Sequence, residues 1–312
     1  MCAVTYALAY LHARSRDVRH LAGQTLSLPD GRKLGYLIIG DGQPVIYFHG
    51  TASSRLEILL LKELVSQAKL QIIGVDRPGY GLSTFKPVKS LCDFNSDLNF
   101  LADQLGFKQF GVLGWSGGGV FALAYLSLFP ERVTRAVVAC TPALPFDVAT
   151  AHNTPLARFA MKLPLLGLLA IRNMRSQVLK ANRNVKAFLA SREGQRLLRG
   201  YSKDDLKFFS NPAWTAVLCQ SMAEAFRQDN YGVKAVLQEH KLFMKPWDIP
   251  VSRVPAGKLF VWHGAEDKTC RLENAYRLSA KVPGARLEIF ECRGHCALFA
   301  NMEKLSTIFC SD

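Results

Sequence analysis

The residues best equipped for chemistry gather around one serine. Gly114-Trp115-Ser116-Gly117-Gly118 matches G-x-S-x-G, and it joins an apolar run beginning at Phe110 to a helical pattern ending at Phe129. At such a strand-to-helix junction the pattern describes a nucleophile elbow, where small neighbours let strand and helix pass closely and the hydroxyl is presented outward. A serine hydroxyl is a weak nucleophile at neutral pH. It needs a histidine base, and the histidine needs an orienting carboxylate. Seven histidines are available. His12 and His20 precede the strand pattern, His152 and His240 lie in a long helical stretch, and His49 and His263 each precede a glycine at a strand end. His295, in Cys292-Arg293-Gly294-His295-Cys296, follows the last strand and is the best-placed base. For the carboxylate, Asp267 follows the strand ending at His263-Gly264; Glu266 is its local competitor, and Asp248 lies farther off. An oxyanion hole requires two N–H donors. Gly117, directly after the serine, supplies one; the loop His49-Gly50-Thr51 supplies the other, through the Thr51 N–H. His49, Gly50 and Trp115 are candidates for the wall of a substrate pocket.

These groups need a scaffold that brings strand ends together. Eight runs read as strands: Thr25 to Leu28, Lys33 to Ile39, Val45 to Phe48, Gln71 to Val75, the run from Phe110, Val133 to Cys140, Lys258 to Trp262 and Arg286 to Phe290. Helical spacing follows Ser53 or Ser54 through Gln67, and recurs over Asp93 to Leu105, Arg271 to Lys281 and Ala297 to Phe309. Alternation of strand and helix predicts an α/β fold with a mostly parallel eight-stranded sheet flanked by helices, its site at the carboxyl ends of the strands. From Pro142 to Pro255 the alternation stops. Helical patterns cover Ala157 to Asn173, Val178 to Leu198, Ser202 to Phe209, Ala213 to Arg227 and Gly232 to Lys241. The expected organisation is a core of residues 1–141 and 256–312 with a helical cap, residues 142–255, inserted in it.

Composition bounds the function. The chain has 312 residues, 49% of them hydrophobic and 21% charged, which excludes disordered and collagen-like classes. The net charge of +14 could attract anionic partners, but no compact basic run and no nucleic-acid motif accompanies it, so nucleic acid is not an expected partner. The insert has about twice as many basic as acidic side chains, which leaves contact with an anionic membrane surface as a minor alternative. Eight cysteines without zinc-type spacing read as reduced thiols of a cytoplasmic protein. A metal site at Cys292, His295 and Cys296 lacks a fourth ligand, and no metal is expected; a redox-sensitive thiol near the base is a stronger reading of the same cysteines. Met1 to Leu11 reads as a short helix, and no apolar run reaches the roughly 18 residues of a membrane span.

The order serine, aspartate, histidine, with His49-Gly50-Thr51, Asp76-Arg77-Pro78-Gly79-Tyr80-Gly81, the elbow, His263-Gly264-Ala265-Glu266-Asp267 and Gly294-His295, resembles the α/β-hydrolase superfamily from about Thr25 to Phe309. The resemblance implies Ser116 as nucleophile, Asp267 as acid, His295 as base, Thr51 and Gly117 as oxyanion donors, and the insert as a helical lid. Asp76 and Arg77 resemble the family's structural loop motif and stay outside the catalytic set. The expectation is a cofactor-free serine hydrolase that cleaves a carboxylic ester of a small molecule with a hydrophobic group. C–C bond, lactone or amide hydrolysis and acyl transfer share the machinery, and a non-catalytic ligand-binding protein on the same scaffold is the alternative of another class. Spacing says nothing about oligomeric state.

Overall fold

Side-chain alternation along the central strands decides which residues meet which helix layer. A computed structural model describes residues 23–145, 164–246 and 248–310. The helix expected over Met1 to Leu11, and the first part of the one expected from Ala157, lie outside the described residues. The eight strands are β1 (Gln24–Ser27), β2 (Lys33–Gly40), β3 (Gln43–Phe48), β4 (Leu70–Val75), β5 (Phe110–Trp115), β6 (Val133–Ala139), β7 (Leu259–Gly264) and β8 (Arg286–Phe290). They form one sheet in the order β1-β2-β4-β3-β5-β6-β7-β8. Only the β1–β2 and β2–β4 pairs are antiparallel. In β5, Phe110 and Val112 enter one buried cluster, while Leu113 and Trp115 enter the other. β3 divides in the same way, with Ile46 and Phe48 on one face and Val45 and Tyr47 on the other. Burial on both faces is why these strands are continuous apolar runs.

The connecting elements include a 3₁₀ turn Arg55–Leu61 leading into α1 (Lys62–Gln67), and a second, Leu91–Phe94, leading into α2 (Asn95–Gln104). α3 (Gly117–Leu128) follows β5. Ser54 caps the first turn by accepting from Leu56 N–H, and Ser90 caps the second in a capping box with Asp93. α10 (Glu273–Lys281) separates β7 from β8, and α11 (Ala297–Ala300) and α12 (Glu303–Cys310) close the chain.

Between β6 and β7 the described residues hold six α-helices and no strand: α4 (Pro164–Arg183), α5 (Val185–Ala190), α6 (Arg192–Leu198), α7 (Lys203–Ser210), α8 (Pro212–Ala225) and α9 (Asn230–Phe243). Two boundaries differ from the periodic reading. α4 runs unbroken to Arg183, past the gap expected after Asn173. The helix expected over Val178 to Leu198 is instead cut twice, where the side chains of Asn184 and Ser191 cap new helices by accepting from Ala187 and Gly194 N–H. Short polar side chains compete locally for backbone donors, and here that competition outweighs a continuous apolar spacing.

Register puts the chemistry at one edge. Phe48 lies beside Gly114, Trp115 beside Ala139, Ala139 beside Trp262, and Gly264 beside Phe290. The loops after β3, β5, β7 and β8 therefore leave the sheet at the same end.

Candidate active site

The elbow begins with a close approach. A Cβ at Gly114 would lie 2.5 Å from Gly119 Cα, and one at Gly118 would lie 2.0 Å from Phe48 O. Both obstacles are backbone, so neither position tolerates a side chain. Gly118→Ala is expected to cost about 3 kcal/mol or more, read from urea unfolding of both proteins, because α3 would have to move off β3. Between these glycines, Ser116 adopts φ 53° and ψ −128°. A β-carbon is strained there, and the turn is held by its surroundings rather than by its own preference.

Three of the expected residues meet. Ser116 Oγ lies 3.1 Å from His295 Nε2, and His295 Nδ1 lies 2.8 Å from Asp267 Oδ2. His295 thus donates Nδ1–H to the carboxylate and presents Nε2 as the acceptor for the hydroxyl. Asp267 Oδ1 accepts from the N–H groups of Thr269 (2.8 Å) and Cys270 (2.9 Å), which fixes the carboxylate before it meets the imidazole. Glu266 is exposed, whereas Asp267 is buried. Burial disfavours a charge on His295, but the charge and hydrogen bond of Asp267, with Asp205 and Glu57 behind them, prevail and raise its pKa above the usual 6.5. Trp115 Nε1–H donates to His295 O at 2.8 Å, and its ring centroid lies 5.1 Å from the imidazole, so this tryptophan seats His295. His263 flanks the acid loop, donating Nε2–H to Cys270 O at 2.7 Å; burial pushes its pKa down and keeps it neutral.

Thr51 and Gly117 are also adjacent: a Cβ at Gly117 would lie 2.2 Å from Thr51 Oγ1. Gly117 opens α3, where backbone N–H groups have no partner within the helix. The loop before Thr51 is held from both sides. Gly50 N–H donates to Glu57 Oε1 at 2.9 Å, an oxygen that also accepts from Tyr47 Oη at 2.7 Å. Gly50 O receives His49 Nδ1–H at 2.7 Å. His49 Nε2 accepts from Arg77 N–H at 3.4 Å, and the ring is fully buried. With no exposed surface and both ring nitrogens engaged, His49 supports the loop and does not line a pocket.

The other histidines among the described residues lie elsewhere: His240 caps its own helix through Val236 O at 2.8 Å. His12, His20 and His152 lie outside the described residues. Asp248 is spent on Leu91 N–H at 3.3 Å. The cysteines separate: Cys292 is exposed, whereas Cys270 and Cys296 are buried beside the acid and base. Burial pushes both buried thiols well above 9.0, which removes the thiolate that oxidation chemistry uses. The group with metal-ligand proximity among the described residues is Cys140, Asp267 and His295, not Cys292, His295 and Cys296; two of its members are already committed to each other.

Three supporting residues, Glu57, Asp205 and Glu239, escaped the sequence reading, and a fourth, Arg77, reads there only as part of a structural loop motif. Glu57 and Arg77 brace the His49-Gly50-Thr51 loop, and the helices between β6 and β7 add Asp205 and Glu239. Asp205 Oδ1, in the capping box of α7, accepts from Cys296 N–H at 2.8 Å and so holds the loop that carries His295. Glu239 of α9 pairs with Arg77. A buried glutamate in the apolar run Arg55–Leu61 was the one local sign; the partners of Asp205 and Glu239 have none.

The sequence profile described as alpha/beta hydrolase fold matches residues 43–301. The chain is 34% identical over 153 residues to a cis-3-alkyl-4-alkyloxetan-2-one decarboxylase of Shewanella oneidensis, a stretch that covers 46% of each protein and hence less than half of that relative. It is 26% identical to a non-heme chloroperoxidase of Kitasatospora aureofaciens, over 85% of this chain and 90% of that one. Its structure resembles that of an esterase from Exiguobacterium antarcticum, with a TM-score of 0.62 at 20% identity over 91% of this chain and 97% of the other. The family profile spans most of the chain: the protein is a member of the alpha/beta hydrolase fold family.

Proposed function

We propose that this protein is a serine hydrolase that cleaves a carboxylic ester through Ser116, His295 and Asp267. The observation that carries the reading is the continuous path from Ser116 Oγ to His295 Nε2 at 3.1 Å and from Nδ1 to Asp267 at 2.8 Å. His295 takes the hydroxyl proton as Oγ adds to the ester carbonyl. The oxyanion that forms is met by the N–H groups of Thr51 and Gly117. His295 then returns the proton to the departing alcohol, leaving an acyl-serine that water cleaves by the same route. The insert, residues 142–255, serves as the cap. Its Phe243 supports a hydrophobic substrate group, because that ring lies 3.1 Å from the position of a Cβ on Gly117 and packs 6.0 Å from Phe121, centroid to centroid. The free cysteines among the described residues accord with a reducing, cytoplasmic setting.

The deciding experiment runs aryl esters of graded acyl length, a lactone and an amide, together with a fluorophosphonate probe. A cyclic ester belongs in the panel because a relative is named for an oxetan-2-one. Turnover of esters with labelling at Ser116 supports the reading; a folded protein that neither labels nor hydrolyses any of them favours the ligand-binding alternative instead.

The base must be neutral to act, so protonation of His295 abolishes turnover. Its raised pKa places the acid limb of kcat/KM above pH 6.5, with activity growing as pH rises through it. Asp205→Asn removes a charge that favours the imidazolium while keeping an acceptor for Cys296 N–H. The acid limb is expected to shift to lower pH, visible in pH–rate profiles of the two proteins. An unmoved limb would show that Asp205 acts on the loop alone.

A further inference from the structure

Arg77 has almost no exposed surface, yet it carries a permanent charge. Its guanidinium faces two ways. Toward the core, Nη1 donates to His49 O at 2.6 Å and Nη2 to Gly50 O at 3.2 Å. Toward the insert, Nε and Nη2 donate to the two carboxylate oxygens of Glu239, the second at 3.1 Å. The plane of the fork lies over Phe121, 4.7 Å from the ring centroid. No longer-range steering is needed to see the consequence. Gly50 O and Thr51 N–H belong to one planar trans peptide, in which carbonyl and N–H point in opposite directions. Arg77 and His49 together hold the oxygen on one side, and so fix the N–H toward the other. A cation on the carbonyl also polarises the amide and strengthens its N–H as a donor.

We propose that Arg77 is a positioning residue for the Thr51 oxyanion donor, and that Glu239 of α9 sets it, so that seating of the insert aligns the oxyanion hole. This rests on the ester-hydrolase reading, in which the Thr51 N–H receives the oxyanion. Glu239 neutralises a buried charge that would otherwise draw water or shift its partners. It also makes the forked geometry two-sided. Lysine, with a compact ammonium, cannot span Glu239, His49 O and Gly50 O together.

The test uses Glu239→Gln and Arg77→Lys in the full chain, with thermal unfolding as the folding control and rates normalised to phosphonate-titrated sites. Loss of a whole oxyanion donor costs roughly 10²–10³-fold in kcat, and misaligning one is expected to cost about 10- to 100-fold with KM within about threefold. A folded variant with raised KM and unchanged kcat would show that the pair merely seats the insert on substrate, and would overturn the proposal. So would full kcat in Arg77→Lys. If one variant fails to fold, the other decides. The Thr51 amide resonance in a nitrogen-labelled sample needs no turnover and should move in either variant. An unmoved amide in a folded variant overturns the proposal even in an inactive protein, whereas a wild type that turns over no ester while that amide moves overturns only the hydrolase reading.

Discussion

Ser116→Ala is expected to fold as the wild type does and to lose ester turnover by roughly 10⁶-fold, with a residual rate from the oxyanion donors and binding alone. The size follows from the chemistry: no other hydroxyl among the described residues lies within hydrogen-bonding distance of His295 Nε2. Fluorophosphonate labelling should vanish in the same variant. Unchanged ester hydrolysis in Ser116→Ala would sink the mechanism outright. A companion variant separates the chemical role from the backbone. Alanine keeps the β-carbon at φ 53° and keeps its strain, whereas glycine adopts that conformation without it. Ser116→Gly should therefore be just as inactive and yet more stable than Ser116→Ala, by about 1 kcal/mol or more in urea unfolding. Equal stability would mean that the elbow stores no strain at this residue.

Asp267→Asn carries the second largest effect, a fall in kcat of roughly 10⁴-fold measured on the same ester. The amide keeps the shape and one acceptor for the N–H groups of Thr269 and Cys270, so the acid loop should persist. What is lost is the charge that stabilises the imidazolium and orients Nδ1–H. The direction of the His295 pKa follows: burial then dominates, and the pKa falls. Glu266→Gln should leave kcat unchanged, because Glu266 is exposed and the carboxylate that meets His295 belongs to Asp267. Loss of activity in Glu266→Gln with retention in Asp267→Asn would reverse the assignment.

These two residues mark how far local reading goes. Ser116 was legible because an elbow is a local object. Its strand is a continuous apolar run, its helix follows at once, and the glycines between them sit at fixed offsets. The central strands were legible for a related reason, since buried parallel strands are short continuous apolar runs, while β1 and β2 showed as β-prone runs around a hairpin turn. Asp267 and Glu266 are neighbours of similar chemistry, and spacing could not choose between them. The fold chooses, because the turn after β7 buries one side chain against two backbone donors and leaves the other in solvent. His49 shows the reverse. Its position before a glycine at a strand end suggested a pocket wall, but both its nitrogens are consumed by backbone groups.

The sequence by itself determined the strand–helix order, the elbow and the chain order of Ser116, Asp267 and His295, because apolar runs and glycine placement act over a few residues. Tertiary structure alone decided what braces them. Arg77 and Glu239 are 162 residues apart, and Asp205 and Cys296 are 91 apart. Whether such pairs meet depends on the angle at which the helical insert docks on the sheet, and no local spacing encodes that angle. The elbow places Ser116 through its own residues; the loops that carry Thr51 and His295 each lean on a carboxylate brought from the helices between β6 and β7.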